Sequence, residues 1–176
     1  MYVRLKVLLL LMVMSFLMGC TRESGERLFD MVYPNTRFVI PAGLSAGLPR
    51  VVERQVISNI DFYLSDSMVD TARIIAINPF SATMRSLDGN DYDFVREISV
   101  RVCDAGTNPC TVADEVFFID RIENRAGEEV NLLPTLKNAR RNLLRDEFKM
   151  EIVFFLAFTS PFNVESQFDM VFQAVE

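Results

Sequence analysis

Three groups of side chains in this 176-residue chain have types and spacings that suggest chemistry. The first, Asp88-Gly89-Asn90-Asp91-Tyr92-Asp93, gathers the oxygen ligands that a hard cation takes. An EF-hand loop needs Gly at its sixth place and Glu at its twelfth, and counting from Asp88 those places hold Asp93 and Ser99. The stretch therefore reads as a solvated turn, with an irregular calcium site as the alternative, and no metal ligand is assigned. The second group is the adjacent acid pairs Asp114-Glu115, Glu128-Glu129 and Asp146-Glu147. Two carboxylates facing each other across a cleft hydrolyse glycosidic bonds, but neighbours on a strand point to opposite faces, so these pairs read as acidic surface and no catalytic residue is assigned. The third group is basic: Lys137, Arg140, Arg141 and Arg145, set against an acidic background. It is a candidate partner-binding surface, and its ordinary reading is a wetted helix face paired with nearby carboxylates. The chain has no histidine, which excludes Ser-His-Asp and Cys-His catalysis and histidine-based zinc sites. It also lacks a Gly-rich phosphate loop, so no cofactor is expected.

Of the three cysteines, Cys103 and Cys110 flank Asp104-Ala105-Gly106-Thr107-Asn108-Pro109, a stretch of turn-forming residues. The expected outcome is a disulfide pinning a loop, worth roughly 2 to 3 kcal/mol by chain entropy. Reduced thiols are one alternative. A metal or redox pair is the other, although redox cysteines usually sit closer, as Cys-x-x-Cys.

The third cysteine ends a leader. Arg4 and Lys6 precede an apolar run from Val7 to Phe16 that is interrupted only by Ser15, and Leu17-Met18-Gly19-Cys20 follows at once, the order of a secretory signal peptide. Those last four residues resemble the lipobox of bacterial lipoproteins, with Met18 where a small residue is usual. The resemblance covers this leader alone. It implies a diacylglyceryl group on the Cys20 sulfur, cleavage between Gly19 and Cys20, acylation of the new amino terminus, and residence in the bacterial envelope. Thr21, not being Asp, resembles the sorting residue of outer-membrane lipoproteins. An ordinary secretory signal and a retained anchor are the competing readings. Each buried acyl methylene contributes about 0.8 kcal/mol, so two chains hold a protein firmly. Further along, the longest apolar run, Ile152 to Phe158, is far shorter than the roughly 20 residues a spanning helix needs. Removing residues 1–19 discards Arg4 and Lys6 and no acid, which takes the formal charge from −6 to −8. An acidic balance disfavours nucleic acid as a partner.

The elements expected to position these residues are strands. Period-two alternation recurs at Thr36–Ile40, Val51–Leu64, Thr71–Ile77, Ala82–Leu87, Tyr92–Val102, Glu115–Ile122, Glu128–Leu132, Phe148–Phe158 and Gln167–Val175. Asp88-Gly89 between two of them predicts a hairpin, and Phe148–Phe158 predicts a central strand that becomes fully covered along its length. One short helix is expected near 132–146, from Leu132, Leu136, Ala139, Leu143 and Leu144 on one face. The partition expected is a signal peptide over 1–19, a tether over 20–33 and one domain over 34–176. The fold expected is a mainly β, antiparallel β-sandwich of about 8–9 strands, immunoglobulin-like or related. The function expected is a membrane-tethered, noncatalytic binding or structural module for a protein or glycan partner. The alternatives are a carboxylate-dependent hydrolase and a lipid carrier. In the carrier, Phe154, Phe155, Phe158, Phe162, Phe168 and Phe172 would line a cavity instead of packing a core.

Overall fold

The computed structural model describes residues 25–107 and 109–176; the signal peptide, the lipobox and Cys20 lie outside the described residues. Alternating sequences become eight strands: β1 (Arg27–Ile40), β2 (Arg50–Ile57), β3 (Ala76–Ser86), β4 (Val95–Asp104), β5 (Glu115–Asp120), β6 (Glu129–Pro134), β7 (Glu147–Leu156) and β8 (Val164–Val175). Two helices, α1 (Ile60–Ser67) and α2 (Arg140–Leu143), lie between them.

Every pairing is antiparallel, and the pairings have a simple rule. First pairs with last, second with next to last, third with sixth and fourth with fifth. The chain is thus one long ribbon doubled back at the β4–β5 connection. The ribbon then rolls, because β3 also pairs β8 and β4 also pairs β7, which gives the sheet order β1-β8-β3-β6-β5-β4-β7-β2. Between its two halves, among the described residues, the sheet is joined by the short pairing of Phe117 with Pro134 and Phe118 with Leu133, continued by the Thr135 N–H donating to the Val116 carbonyl at 2.9 Å.

Side chains show how far the sheet curls. Tyr33 of β1 meets Phe148 of β7 edge-on at 5.4 Å, Phe38 meets Phe154 at 5.7 Å, and Phe117 of β5 meets Phe172 of β8 at 5.5 Å. These strands are distant in the sheet order, so the sheet must bend round on itself, almost as a barrel, for their inner faces to share one core. Phe117, Phe148 and Phe172 are completely buried there. Burial of such rings, at about 25 cal/mol per Å² of apolar surface, is the main force holding the roll.

Several expectations are corrected. The strands are antiparallel and the chain is mainly β, but the order is not that of an immunoglobulin domain, in which sequence neighbours such as the first two strands share a sheet edge. Asp88-Gly89 does not close a hairpin: β3 pairs β6 and β8, whereas β4 pairs β5 and β7, so this turn carries the chain from one half to the other. Gly89 still takes the positive φ, 75°, that the dipeptide suggests. Residues 27–33, read as the end of the tether, are already strand β1, because Phe29, Met31 and Tyr33 alternate into the core. The helix near 132–146 shrinks to the single turn α2. Its supposed first residue, Leu132, belongs to β6, where Val130 and Leu132 point in while Leu136 is left 87% exposed. Conversely, Ile60-x-Phe62-x-Leu64, read as strand, is helix α1, bracketed by Asn59 and Met68 in left-handed conformation. Asn78-Pro79 does not end a strand, since β3 absorbs the proline beside an irregularity between Pro79 and Ser81.

A candidate polar cleft beside the cystine loop

The ribbon's closing turn carries the disulfide. Cys103, next to last in β4, is bonded to Cys110 with the Cα atoms 5.7 Å apart, and both are 2% exposed. Cys110 is held on further sides: its N–H donates to Glu151 Oε1 at 3.1 Å and its carbonyl accepts from Arg101 Nη1 at 3.4 Å. Underneath lies a charge pair that alternation alone places on an outer face. Lys149 Nζ sits 2.7 Å from Glu151 Oε1 and 3.6 Å from Glu53 Oε1. Lys149 and Glu151 are only 4% and 1% exposed, so β7 is covered on both faces from Phe148 onward and not merely in its second half. The hydrogen bond to Glu151 raises the Lys149 pKa above its ordinary value and outweighs the opposing effect of burial.

Next to this loop is a cleft of about 300 Å³ lined by Asp104, Asp114, Lys137, Asn138, Arg141 and Asn142, with Cys103 and Thr107 at its edge. Asp104, the last residue of β4, is its hub. Asn142 Nδ2 of α2 donates to Asp104 Oδ1 at 3.2 Å, while Arg141 and Arg145 approach Oδ2 at 3.5 and 3.4 Å. Asp114 ends a short 3-10 turn and accepts from the Thr111 N–H at 2.9 Å and hydroxyl at 2.8 Å. Lys137 Nζ lies 3.6 Å from Asp114 and donates to the Ala113 carbonyl at 2.7 Å. Burial alone would raise the Asp114 pKa, but the hydrogen bonds from Thr111 and the Lys137 charge prevail and hold it below its ordinary value.

Lys137, Arg141 and Arg145 are therefore gathered as the basic run suggested, although by two carboxylates and not by a continuous helix face. Arg140 is set apart, its Nε buried without a hydrogen-bond partner. Asp104, Asn138 and Asn142 were not singled out by type or spacing; only the place of Asp104 beside Cys103 could have marked it.

The remaining candidates serve the fold. Asp88 accepts from the Glu165 N–H at 2.9 Å, the Ser86 hydroxyl at 2.7 Å and the Asn90 N–H at 3.3 Å. The bond from Glu165 leads these in lowering its pKa to about 2. Asp93 accepts from the Ala126 N–H at 3.0 Å, and Glu115 from the Ser99 hydroxyl. Phe154, Phe168 and Phe172 pack in the core, Phe162 stands edge-on to Phe94 at 6.1 Å, and Phe158 is 43% exposed. No helix among the described residues is long and apolar enough to cross a membrane.

No protein family matches this chain, and no curated protein matches it. Among solved structures, a chain from Desmodium yellow mottle tymovirus is similar over 89% of this chain and 93% of that chain. The identity is 10% and the TM-score 0.30, a likeness too slight to bear on what this chain does.

Proposed function

We propose that this protein is a noncatalytic binding module of the bacterial envelope. In this reading it is anchored through lipidated Cys20, at the outer membrane, and it holds a polar partner group in the cleft beside the cystine loop. The observation that carries the reading is the cleft's lining, which combines donors from Lys137, Arg141, Asn138 and Asn142 with acceptors from Asp104 and Asp114. A sugar hydroxyl donates and accepts at once, so a hydroxyl-rich glycan suits such a wall better than an apolar ligand does. The ion pairs already present are long and wet, with Arg141 and Arg145 side chains 80% and 53% exposed. Exposed pairs contribute at most about 1 kcal/mol, so a ligand can re-engage these cations at little cost.

The pairing rule, and the rings that meet from opposite ends of the sheet order, support a finer fold reading: a two-layer sandwich of the jelly-roll type. Its interior is packed with Phe154, Phe168 and Phe172, three of the phenylalanines that a lipid carrier would need to line a cavity. The hydrolase alternative draws on Asp104 and Asp114 sharing one cleft. A general acid, however, requires a raised pKa, and Asp114 is moved the other way.

The test is calorimetric titration of the full-length protein in detergent with soluble glycan fragments of a bacterial envelope. Arg141→Ala and Asp104→Asn are each expected to weaken binding by about tenfold. Absence of binding, or binding indifferent to both substitutions, refutes the cleft. Release of reducing ends that stops with Asp104→Asn or Asp114→Asn would establish a hydrolase instead. The anchor has its own check: Cys20→Ser should leave the protein uncleaved or in the aqueous phase on detergent partition, and a mature-sized mutant in the detergent phase would refute it.

A further inference from the structure

The sheet is nearly closed, and it fails to close between its two end strands, β1 and β2. An end strand turns every second N–H and C=O away from its neighbour, into the gap. The Arg37 carbonyl of β1 is one such group, and it accepts from Arg54 Nη2 of β2 at 3.1 Å; Arg54 also donates to the Glu53 carbonyl at 2.8 Å. One guanidinium thus spans the seam where a ladder of backbone bonds would otherwise run. Among the described residues no backbone hydrogen bond joins the two strands.

The surrounding side chains have a consistent character. Arg50 and Arg54 stand opposite Phe154 and Met150, on the face of β2 that looks toward the core, yet both are exposed, so that face is open to water at this edge. Arg37 is exposed on the facing strand. Among the described residues none of these three arginines has an ion pair, in a chain of formal charge −6. Beside them runs a groove of about 320 Å³ whose walls include Val39, Pro41, Leu44, Pro49, Val51 and Phe154. Val39 and Val51 are 52% and 48% exposed.

We infer that this seam is the docking groove for an extended, acidic stretch of polypeptide, which adds to the free edge of β2 as a further strand. Backbone bonds come from the edge, as in other cases of strand addition, and specificity comes from alternate side chains. Arg50 and Arg54 lie four residues apart, about 13 Å along a strand. Carboxylates at the same spacing in the incoming strand therefore face both guanidiniums, and apolar residues of the segment fill the groove beside Val39 and Val51. Charge-assisted pairs of this kind are stronger than neutral ones, and the peptide displaces Arg54 from the Arg37 carbonyl. The seam is separate from the polar cleft and does not depend on the lipid anchor.

The experiment is fluorescence anisotropy of a labelled peptide of alternating Glu and Val against the full-length protein in detergent. A Lys-Val peptide and a Glu-Val peptide interrupted by Pro serve as comparisons. The Glu-Val peptide is expected to bind and to slow amide exchange in β2, and both comparison peptides to fail. Arg54→Glu, with its circular dichroism unchanged, is expected to weaken binding by about tenfold or more, and Arg121→Glu, the same charge change elsewhere, to leave it as it was. Equal binding of the Lys-Val peptide, or binding indifferent to Arg54→Glu, overturns the proposal. If no peptide binds and Arg54→Glu makes the protein self-associate, the arginines only guard an edge, and the proposal again falls.

Discussion

Replacing Cys103 and Cys110 together with Ala separates two contributions of the cystine loop. The bridge closes a small ring, with the two residues seven apart in sequence. Chain entropy for a ring of that size is about 8 cal/mol/K, or about 2.5 kcal/mol at 25 °C. That is the whole loss expected if the loop stays docked without its covalent bond. The Cys110 N–H also donates to buried Glu151, and a hydrogen bond to a charged group contributes a further 1.5 to 3 kcal/mol, by rough measure. A loop that lifts away would therefore bring the loss to about 4 to 5.5 kcal/mol. The assay is urea unfolding followed by far-ultraviolet circular dichroism, since the chain has no tryptophan, with the m-value checked for constancy. A loss below about 1 kcal/mol would refute the entropic argument. Alkylation of the native, unreduced protein is the companion measurement, and rapid labelling would contradict the bridge itself.

Two further outcomes follow from the same geometry. Asp88 is held in its charged form by the fold, its pKa lowered from 3.8 to about 2, so its stabilising contribution is complete above about pH 4 and disappears as pH falls toward 2. Acid titration of stability should therefore be flatter for Asp88→Asn than for the unaltered protein over that interval, and equal slopes would show that the carboxylate does not matter. In the core, Phe172→Ala should cost about 3 to 5 kcal/mol, whereas Phe158→Ala, at a half-wet site, should stay within roughly 0.5 kcal/mol. Comparable losses at the two positions in denaturant melts would undo the assignment of inside and outside.

The strands were legible because alternation is a local property, and β4, β7 and β8 lie close to where Val100, Phe154 and Phe168 put them. Pairing partners were not legible. Asp88-Gly89 has the chemistry of a hairpin turn, but whether the strands it links become neighbours depends on what else competes for their edges, and here β8 and β6 take both edges of β3. The helix at 132–146 failed for a related reason, since its apolar stripe joined Leu132, which alternates with Val130 on a strand, to Ala139 and Leu143 packed beyond it. Lys149 and Glu151 misled in the opposite sense. A charged residue at every second place suggests an outer face, and only the loop folded over them, an arrangement fixed by Cys110, makes that face an interior one. The basic residues were found by type, while the carboxylate that gathers two of them, Asp104, comes from the distant strand β4, and only its place beside Cys103 set it apart in the sequence.

The doubled ribbon also sets an order of assembly. Near the turn, Ile98 and Ile119 are partners separated by a short stretch of chain, whereas Arg27 and Val175 are partners from nearly opposite ends of it. Loop closure is slowest for the most distant partners, so zipping is expected to start at the cystine turn and to reach β1 last. Substitutions at the Ile98–Ile119 pair should then slow refolding, and those at the Arg27 end of β1 should chiefly hasten unfolding, a contrast that a chevron plot displays. For a chain made from its amino end, β1 is the first of the described strands to emerge and the last to find its place. Its inner row, Phe29, Met31, Tyr33 and Phe38, has no ladder partner until β8, the last of the described strands, has been made.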